Sequence, residues 1–180
     1  MPISLPIHGG GFILRKCVRE DASFLGEIEF DLEVKQYLAI PKVPKPEWIE
    51  NVRKIGISGF VIQMQDGRIA GRCSIRRGNR KGDKELSVVL AKQFWGSGLG
   101  VRVTKLLVQQ AFEALSARAL VAIVHPDNNA SLRLVRYLGF RKRGVFTGQS
   151  WQAGHYIYRL PRKSRKNPPS RSGPVISKML

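Results

Sequence analysis

Acidic residues are scarce in this chain: 13 Asp and Glu stand against 31 Lys and Arg in 180 residues, a formal net charge of +18. Cysteine is scarcer still. Cys17 and Cys73 lie 56 positions apart with no CxxC partner, which excludes a disulfide framework and the usual zinc spacings and fits a reducing cytoplasm. Long apolar runs are missing too, the longest being the six residues Ala119 to Val124, far below the roughly 20 that cross a bilayer. No membrane span is expected. Met1 to Gly11 lacks the basic stretch and long apolar run of a secretory signal. What the chain does have is ordinary globular material, 43% hydrophobic and 24% charged, enough for one domain with a real core and incompatible with wholesale disorder.

The charge is divided unevenly. Residues 1–50 hold 6 basic and 8 acidic side chains, whereas residues 51–180 hold 25 basic and 5 acidic. Six of the positives, Arg162, Lys163, Arg165, Lys166, Arg171 and Lys178, follow Pro161 in a stretch rich in Pro and Ser with little to bury. Residues 162–180 are therefore expected to form a disordered basic tail, leaving a folded domain over 1–161 that still carries +12.

Period and punctuation give the elements. Phe12 to Val18 reads as a strand, and Asp21 is placed to cap an amphipathic helix running to Leu38, with Ala22, Leu25, Ile28, Leu32 and Val34 on its apolar side. Pro41, Pro44 and Pro46 end it and open a short helix over Pro46 to Lys54. Phe60 to Gln65 and Ile69 to Arg76 are strands joined at Asp66-Gly67, a pair that tight hairpins prefer, and Glu85 to Leu90 is a third. Thr104, Leu107, Val108, Ala111, Phe112 and Leu115 mark the clearest helix. Ala119 to Val124 has the continuous apolar character of a buried parallel strand. Ser131 to Leu138 is a short helix stopped by Gly139, and Phe140 to Phe146 and Tyr156 to Leu160 close the chain as a hairpin. The sum is a mixed α/β domain built on an antiparallel meander followed by a strand-loop-helix-strand unit.

The chemistry is concentrated in Gln93-Phe94-Trp95-Gly96-Ser97-Gly98-Leu99-Gly100, between a strand and a helix. Glycines at alternate positions let a ligand approach the backbone, and the amides of the first helical turn favour an anion such as a pyrophosphate. No GK[ST] follows, and G-x-G-x-G misses the dinucleotide fingerprint, so neither a nucleoside triphosphate loop nor a dinucleotide fold is indicated. On these glycines alone, a packing turn competes with a phosphate loop. A second motif, Asn128-Asn129-Ala130-Ser131, lies some 30 residues on, with Leu138-Gly139-Phe140 closing its helix.

Together the two motifs resemble the GNAT acetyltransferase superfamily, whose acyl-CoA loop corresponds to Trp95 through Gly100 and whose N-x-x-S helix ending in L-G-F corresponds to Asn128 through Phe140. The resemblance covers about Phe12 to Leu160. Phe94-Trp95-Gly96, with Glu85 ten residues before the Trp, is similar to the branch that acetylates N-terminal alanine or serine of ribosomal proteins. The resemblance implies a GNAT-like, mostly antiparallel sheet with a central parallel strand pair splayed at the acyl-CoA site. It implies acetyl-CoA as co-substrate, with Trp95 and the backbone of Gly96, Ser97, Gly98, Leu99, Gly100 and Val101 at its pyrophosphate. It further implies Val88, Val89 and Leu90 along the pantetheine amides, Asn128 hydrogen-bonded to that arm, and Ser131 near the thioester sulfur. Many members carry a tyrosine four residues after the motif serine as the acid for the leaving thiolate. Here that position is Val135, and Tyr137, two residues further, lies roughly 200 degrees round the helix from it, which leaves Ser131 or solvent for the role.

By the same match Glu85 is the candidate general base, acting on the acceptor ammonium through water, against the plain alternative of a strand-end glutamate facing solvent or paired with Lys84. His125 is a reserve base, and His8 and His155 are weaker candidates. Transfer would be direct, and no metal is suggested. Eight of the 13 acids lie between Glu20 and Glu50, on the side that walls the acceptor in GNAT-like folds. They are either an acidic rim for a cationic amine, such as a peptide N-terminus or a small molecule, or a solvated helix face. The positive excess, including Arg76, Arg77, Arg133, Arg136, Arg141, Lys142 and Arg143, gives the rival reading: a nucleic-acid- or ribosome-associated protein on an acetyltransferase-like scaffold. A monomer or a homodimer is compatible with all of this.

Overall fold

Alternating side chains in short runs, each bounded by a turn, build one eight-stranded sheet. The protein was analysed as a computed structural model that describes residues 3–38, 58–147 and 152–162. Strands β1 (Ile7–Gly9) and β2 (Phe12–Lys16) lead into helices α1 (Asp21–Phe30) and α2 (Leu32–Lys35). Then come β3 (Ser58–Met64), β4 (Ile69–Arg77), β5 (Asp83–Leu90), a single 3-10 turn at Lys92–Phe94 and the long helix α3 (Leu99–Glu113). Strand β6 (Ala119–Val124), helix α4 (Asn129–Tyr137) and the strands β7 (Arg141–Val145) and β8 (Tyr156–Pro161) complete the described chain. The order across the sheet is β1-β2-β3-β4-β5-β6-β8-β7.

All neighbours are antiparallel except β5 and β6, and that pair is short. Its register is Asp83↔Ala119, Lys84↔Leu120 and Glu85↔Val121, after which pairing stops although both strands continue. Beyond that point β5 stays on β4 as far as Gly71↔Leu90, and β6 stays on β8 as far as Val124↔Tyr156. The two strands therefore diverge as a fork, with Glu85 and Val121 at its apex. Gly71 is needed for the closeness of β4 and β5: a Cβ there would stand 2.0 Å from the Val89 carbonyl oxygen.

Each face of the sheet buries a layer of helix. On one side Leu99, Val103, Leu107 and Ala111 of α3 and Leu132 and Val135 of α4 pack on Phe12, Phe60, Cys73, Leu86, Leu120 and Tyr158. On the other, Leu25 and Ile28 of α1 and Val34 pack on Val61 and Val89. A buried aliphatic side chain of this kind contributes about 1.5–3 kcal/mol.

Several sequence expectations need correcting. The single helix expected from Asp21 to Leu38 is two, because Asp31 is extended (ψ 127°) and its carboxylate accepts the Glu33 and Val34 amides, at 2.9 and 3.1 Å, to start α2 afresh. That break leaves Leu32, expected on the apolar side, 81% exposed. Asp21 is the first residue of α1 rather than its cap: its buried carboxylate accepts the Val18 amide at 2.8 Å and two hydrogen bonds from Arg15. Ile7–Gly9, unforeseen as a strand, pairs with β2. The helix expected over Pro46 to Lys54 lies outside the described residues, as does the tail expected over 162–180 apart from Arg162, whose amide donates to the Arg118 carbonyl at 2.9 Å.

Candidate active site

The glycine loop joins the end of β5 to the start of α3. Gly96 and Gly98 both have left-handed backbone, φ +73° and +75°, and a Cβ placed on either would meet nothing within 4 Å. A side chain at Gly98 would thus be strained yet not crowded. Gly98 is the N-cap of α3 and supplies no side chain to cap its amides, while Ser97 Oγ donates to the Phe94 carbonyl at 2.7 Å and accepts the Leu99 amide at 3.3 Å. An open, glycine-lined helix start whose N-cap residue offers no capping side chain fits a pyrophosphate. Trp95, 42% exposed, donates its indole N–H to the Leu90 carbonyl at 3.0 Å and so ties the loop to the end of β5.

Strand alternation sorts the three residues expected along the pantetheine arm. The Ala91 amide donates to Ala70 on β4 and the Val89 carbonyl lies against Gly71, so Val89 turns its backbone to β4. Val88 and Leu90 turn theirs to the fork, and the Leu90 carbonyl already holds Trp95. Val88 is the residue with backbone groups left for an amide-bearing ligand. Across the fork, Asn128 caps α4 through Oδ1, which accepts the Ser131 amide at 2.9 Å, and its own amide donates to the His125 carbonyl at 3.0 Å. Val135 is 4% exposed and faces the core, whereas Tyr137 is 67% exposed on the outer side, where Lys105 stacks over its ring at 5.1 Å.

Glu85 stands at the apex of the fork, on the α1 face of the sheet. Its carboxylate is ion-paired with Arg76, its register partner on β4, rather than with Lys84 or solvent.

A fork in the sheet, an open glycine loop at its mouth and a capped helix across it agree with what relatives share. The Acetyltransferase (GNAT) domain model matches residues 12–141. The chain belongs to the GNAT acetyltransferase family. It is 25% identical over 154 residues to an uncharacterized N-acetyltransferase p20 of Bacillus licheniformis, covering 80% of this chain and 86% of the relative. It is 24% identical over 151 residues to the spermidine N(1)-acetyltransferase of Escherichia coli K12, covering 79% and 80% of the two chains. The solved structure of a ribosomal-protein-S5-alanine acetyltransferase from Vibrio fischeri superposes with a TM-score of 0.72 at 16% identity, covering 91% of this chain and all (100%) of that one.

This GNAT acetyltransferase is an acyl-CoA-dependent N-acetyltransferase with acetyl-CoA as acetyl donor. Among its described residues no helix is long and apolar enough to cross a membrane. The structure brings Trp95 to Val101, Val88, Asn128 and Ser131 to the two sides of one fork. It sets the basic residues Arg133, Arg136, Arg141, Lys142 and Arg143 apart, exposed on α4 and β7. Of the six acids from Glu20 to Glu33, three are ion-paired, Asp21 and Glu29 being buried, while Glu20 and Glu27 are exposed. Asp21 pairs with Arg15, Glu29 with Arg72 and Glu33 with Lys92. Sequence reasoning missed Tyr37, whose ring meets His125 at 5.8 Å, and ranked His155 low although its ring meets His125 at 5.0 Å. The signal for these was absent from the chain, because residues 37, 125 and 155 are far apart in sequence and meet only through the fold.

Proposed function

We propose that this enzyme transfers the acetyl group of acetyl-CoA directly to an amine carrying one positive charge, above all the α-amine of a peptide or protein N-terminus. The observation that carries this reading is the pairing of three acids on the two N-terminal helices, Asp21, Glu29 and Glu33, with basic side chains. A polyamine needs anionic groups for its second and third ammonium ions, but Glu29, Glu33 and Asp21 already face guanidinium or ammonium partners.

In this reading the amides of Gly96 to Val101 hold the pyrophosphate, with Trp95 bracing the loop, and the free backbone of Val88 pairs with the pantetheine arm next to Leu90, while Val89 keeps its backbone on β4. Asn128 and Ser131 border the arm's far end. Glu85, held in place by Arg76, takes the proton of the acceptor ammonium through water at the apex of the fork. The neutral amine then attacks the thioester carbonyl, and a strand amide steadies the developing oxyanion. Residues 1–161 form the catalytic domain and 162–180 a basic appendage.

Steady-state kinetics with Ala- and Ser-initiated peptides and with spermidine test the proposal. The account expects kcat/KM for at least one peptide to exceed that for spermidine by tenfold or more. A preference for spermidine would overturn it.

A further inference from the structure

The end of β6 carries a cluster of rings that the reaction as described does not use. His125 directly follows the last residue of β6, at the open end of the fork. Its carbonyl accepts the Asn128 amide at 3.0 Å, so His125, Asn128 and Ser131 form one turn-and-cap unit. The His125 Nδ1 accepts the Asp127 amide at 3.2 Å, which puts the neutral ring's proton on Nε2 as a donor. Two further rings fix its plane: Tyr37 at 65° and His155 at 86°. The charged or titratable groups against it are Tyr37, His155 and the Asp127 carboxylate, whose Oδ2 is 3.9 Å from Nδ1. His155 is 6% exposed and, among the described residues, neither of its ring nitrogens is hydrogen-bonded. Buried polar atoms without partners weaken a fold, so a pair of such atoms beside a cleft points to use in function.

We propose that His125, held by Tyr37 and His155, donates its Nε2–H to the sulfur of the departing thiolate. The inference rests on the reading that the fork holds acetyl-CoA. As the acceptor nitrogen completes its bond to the acetyl carbon, the C–S bond breaks and its electron pair goes to sulfur. The ammonium proton leaves by way of Glu85 and water, the thiolate is stabilised by the Nε2–H bond, and it later takes a proton from solvent. Nothing is oxidised or reduced. The inner face of α4 offers no rival donor at Val135, and Tyr137 is engaged with Lys105 on the outer side.

The test needs no acceptor. CoA is bound to the wild-type chain, His125→Gln, His125→Asn and Ser131→Ala, with affinity from calorimetric titration and thiolate formation from ultraviolet absorption against pH. The proposal expects the wild type and both His125 variants to bind CoA within about threefold of one another. It expects the bound thiol to ionise about one pH unit, or tenfold, less readily in both His125 variants than in the wild type, with Ser131→Ala changing less. His125 ring signals in the nuclear magnetic resonance spectrum should move on adding CoA and stay in place on adding desulfo-CoA. Equal thiol titration in the wild type and either folded His125 variant would overturn the proposal while leaving the acyl-CoA site intact. Failure of the wild-type chain to bind CoA would instead overturn the reading of the fork itself.

Discussion

Arg76 and Glu85 face each other across the β4–β5 ladder, and their ion pair lies where β5 and β6 begin to part. The pairing fixes the Glu85 carboxylate at the apex of the fork. Replacing Glu85 by Gln keeps the shape and removes the charge. The expected outcome is a fall in kcat of about 10²-fold or more with the acetyl-CoA dissociation constant changed by less than about threefold. Unchanged turnover at several pH values would remove Glu85 from the mechanism.

Gly71 backs the β5 edge of the fork so closely that a Cβ at this position would stand 2.0 Å from the Val89 oxygen. Gly71→Ala must push β4 and β5 apart. A stability loss of roughly 1–3 kcal/mol is expected in urea titration, together with weaker acetyl-CoA binding, because the displaced strand carries Val88.

Asp21 gives a pH prediction. Burial alone would push its carboxyl up, but the Arg15 hydrogen bonds, the Val18 amide and the Arg15 charge outweigh it and hold the carboxyl below its usual range. A depressed folded pKa stabilises the protein above the unfolded value and ceases to as pH falls through the folded one. The gap in urea midpoint between wild type and Asp21→Asn should stay constant from neutral pH to about pH 5 and shrink below about pH 4.

Lys92 covers the Glu33 carboxylate with both side chains more than half exposed, 56% and 54%. If the acceptor wall rejects polyamines because its acids are paired, Lys92→Gln releases one negative charge there. Spermidine kcat/KM should rise about threefold at low salt and lose the gain at high salt, with peptide kinetics unchanged.

Much of this was legible in the chain. Helix α3 announced itself through its apolar stripe, the Asp66-Gly67 hairpin through its turn pair, and the loop before α3 through glycines, of which Gly96 and Gly98 have left-handed backbone in the structure. The break at Asp31 was hidden because a capping Asp inside an amphipathic stretch looks like one more polar position. Asp21 looked like a cap because the effect of Arg15, six residues earlier, carries no local pattern. The ion pairs of Glu29 with Arg72 and Glu33 with Lys92 join residues 43 and 59 positions apart, so sequence left these two acids as part of either a rim or a solvated face, whereas the fold pairs them. The same separation concealed the ring cluster at His125.

The measurement that bears most directly on the account is calorimetric titration of acetyl-CoA into the wild-type protein and Gly98→Glu, beside ATP and NAD as phosphate-bearing controls. The open space at Gly98 lets the variant fold, while the added carboxylate sits at the start of α3 where the pyrophosphate belongs. Selective binding of acetyl-CoA by the wild type, weakened tenfold or more in Gly98→Glu, is the predicted result. Equal binding by the two proteins, or no preference over ATP and NAD, would contradict the assignment of the loop and the fork as the acyl-CoA site.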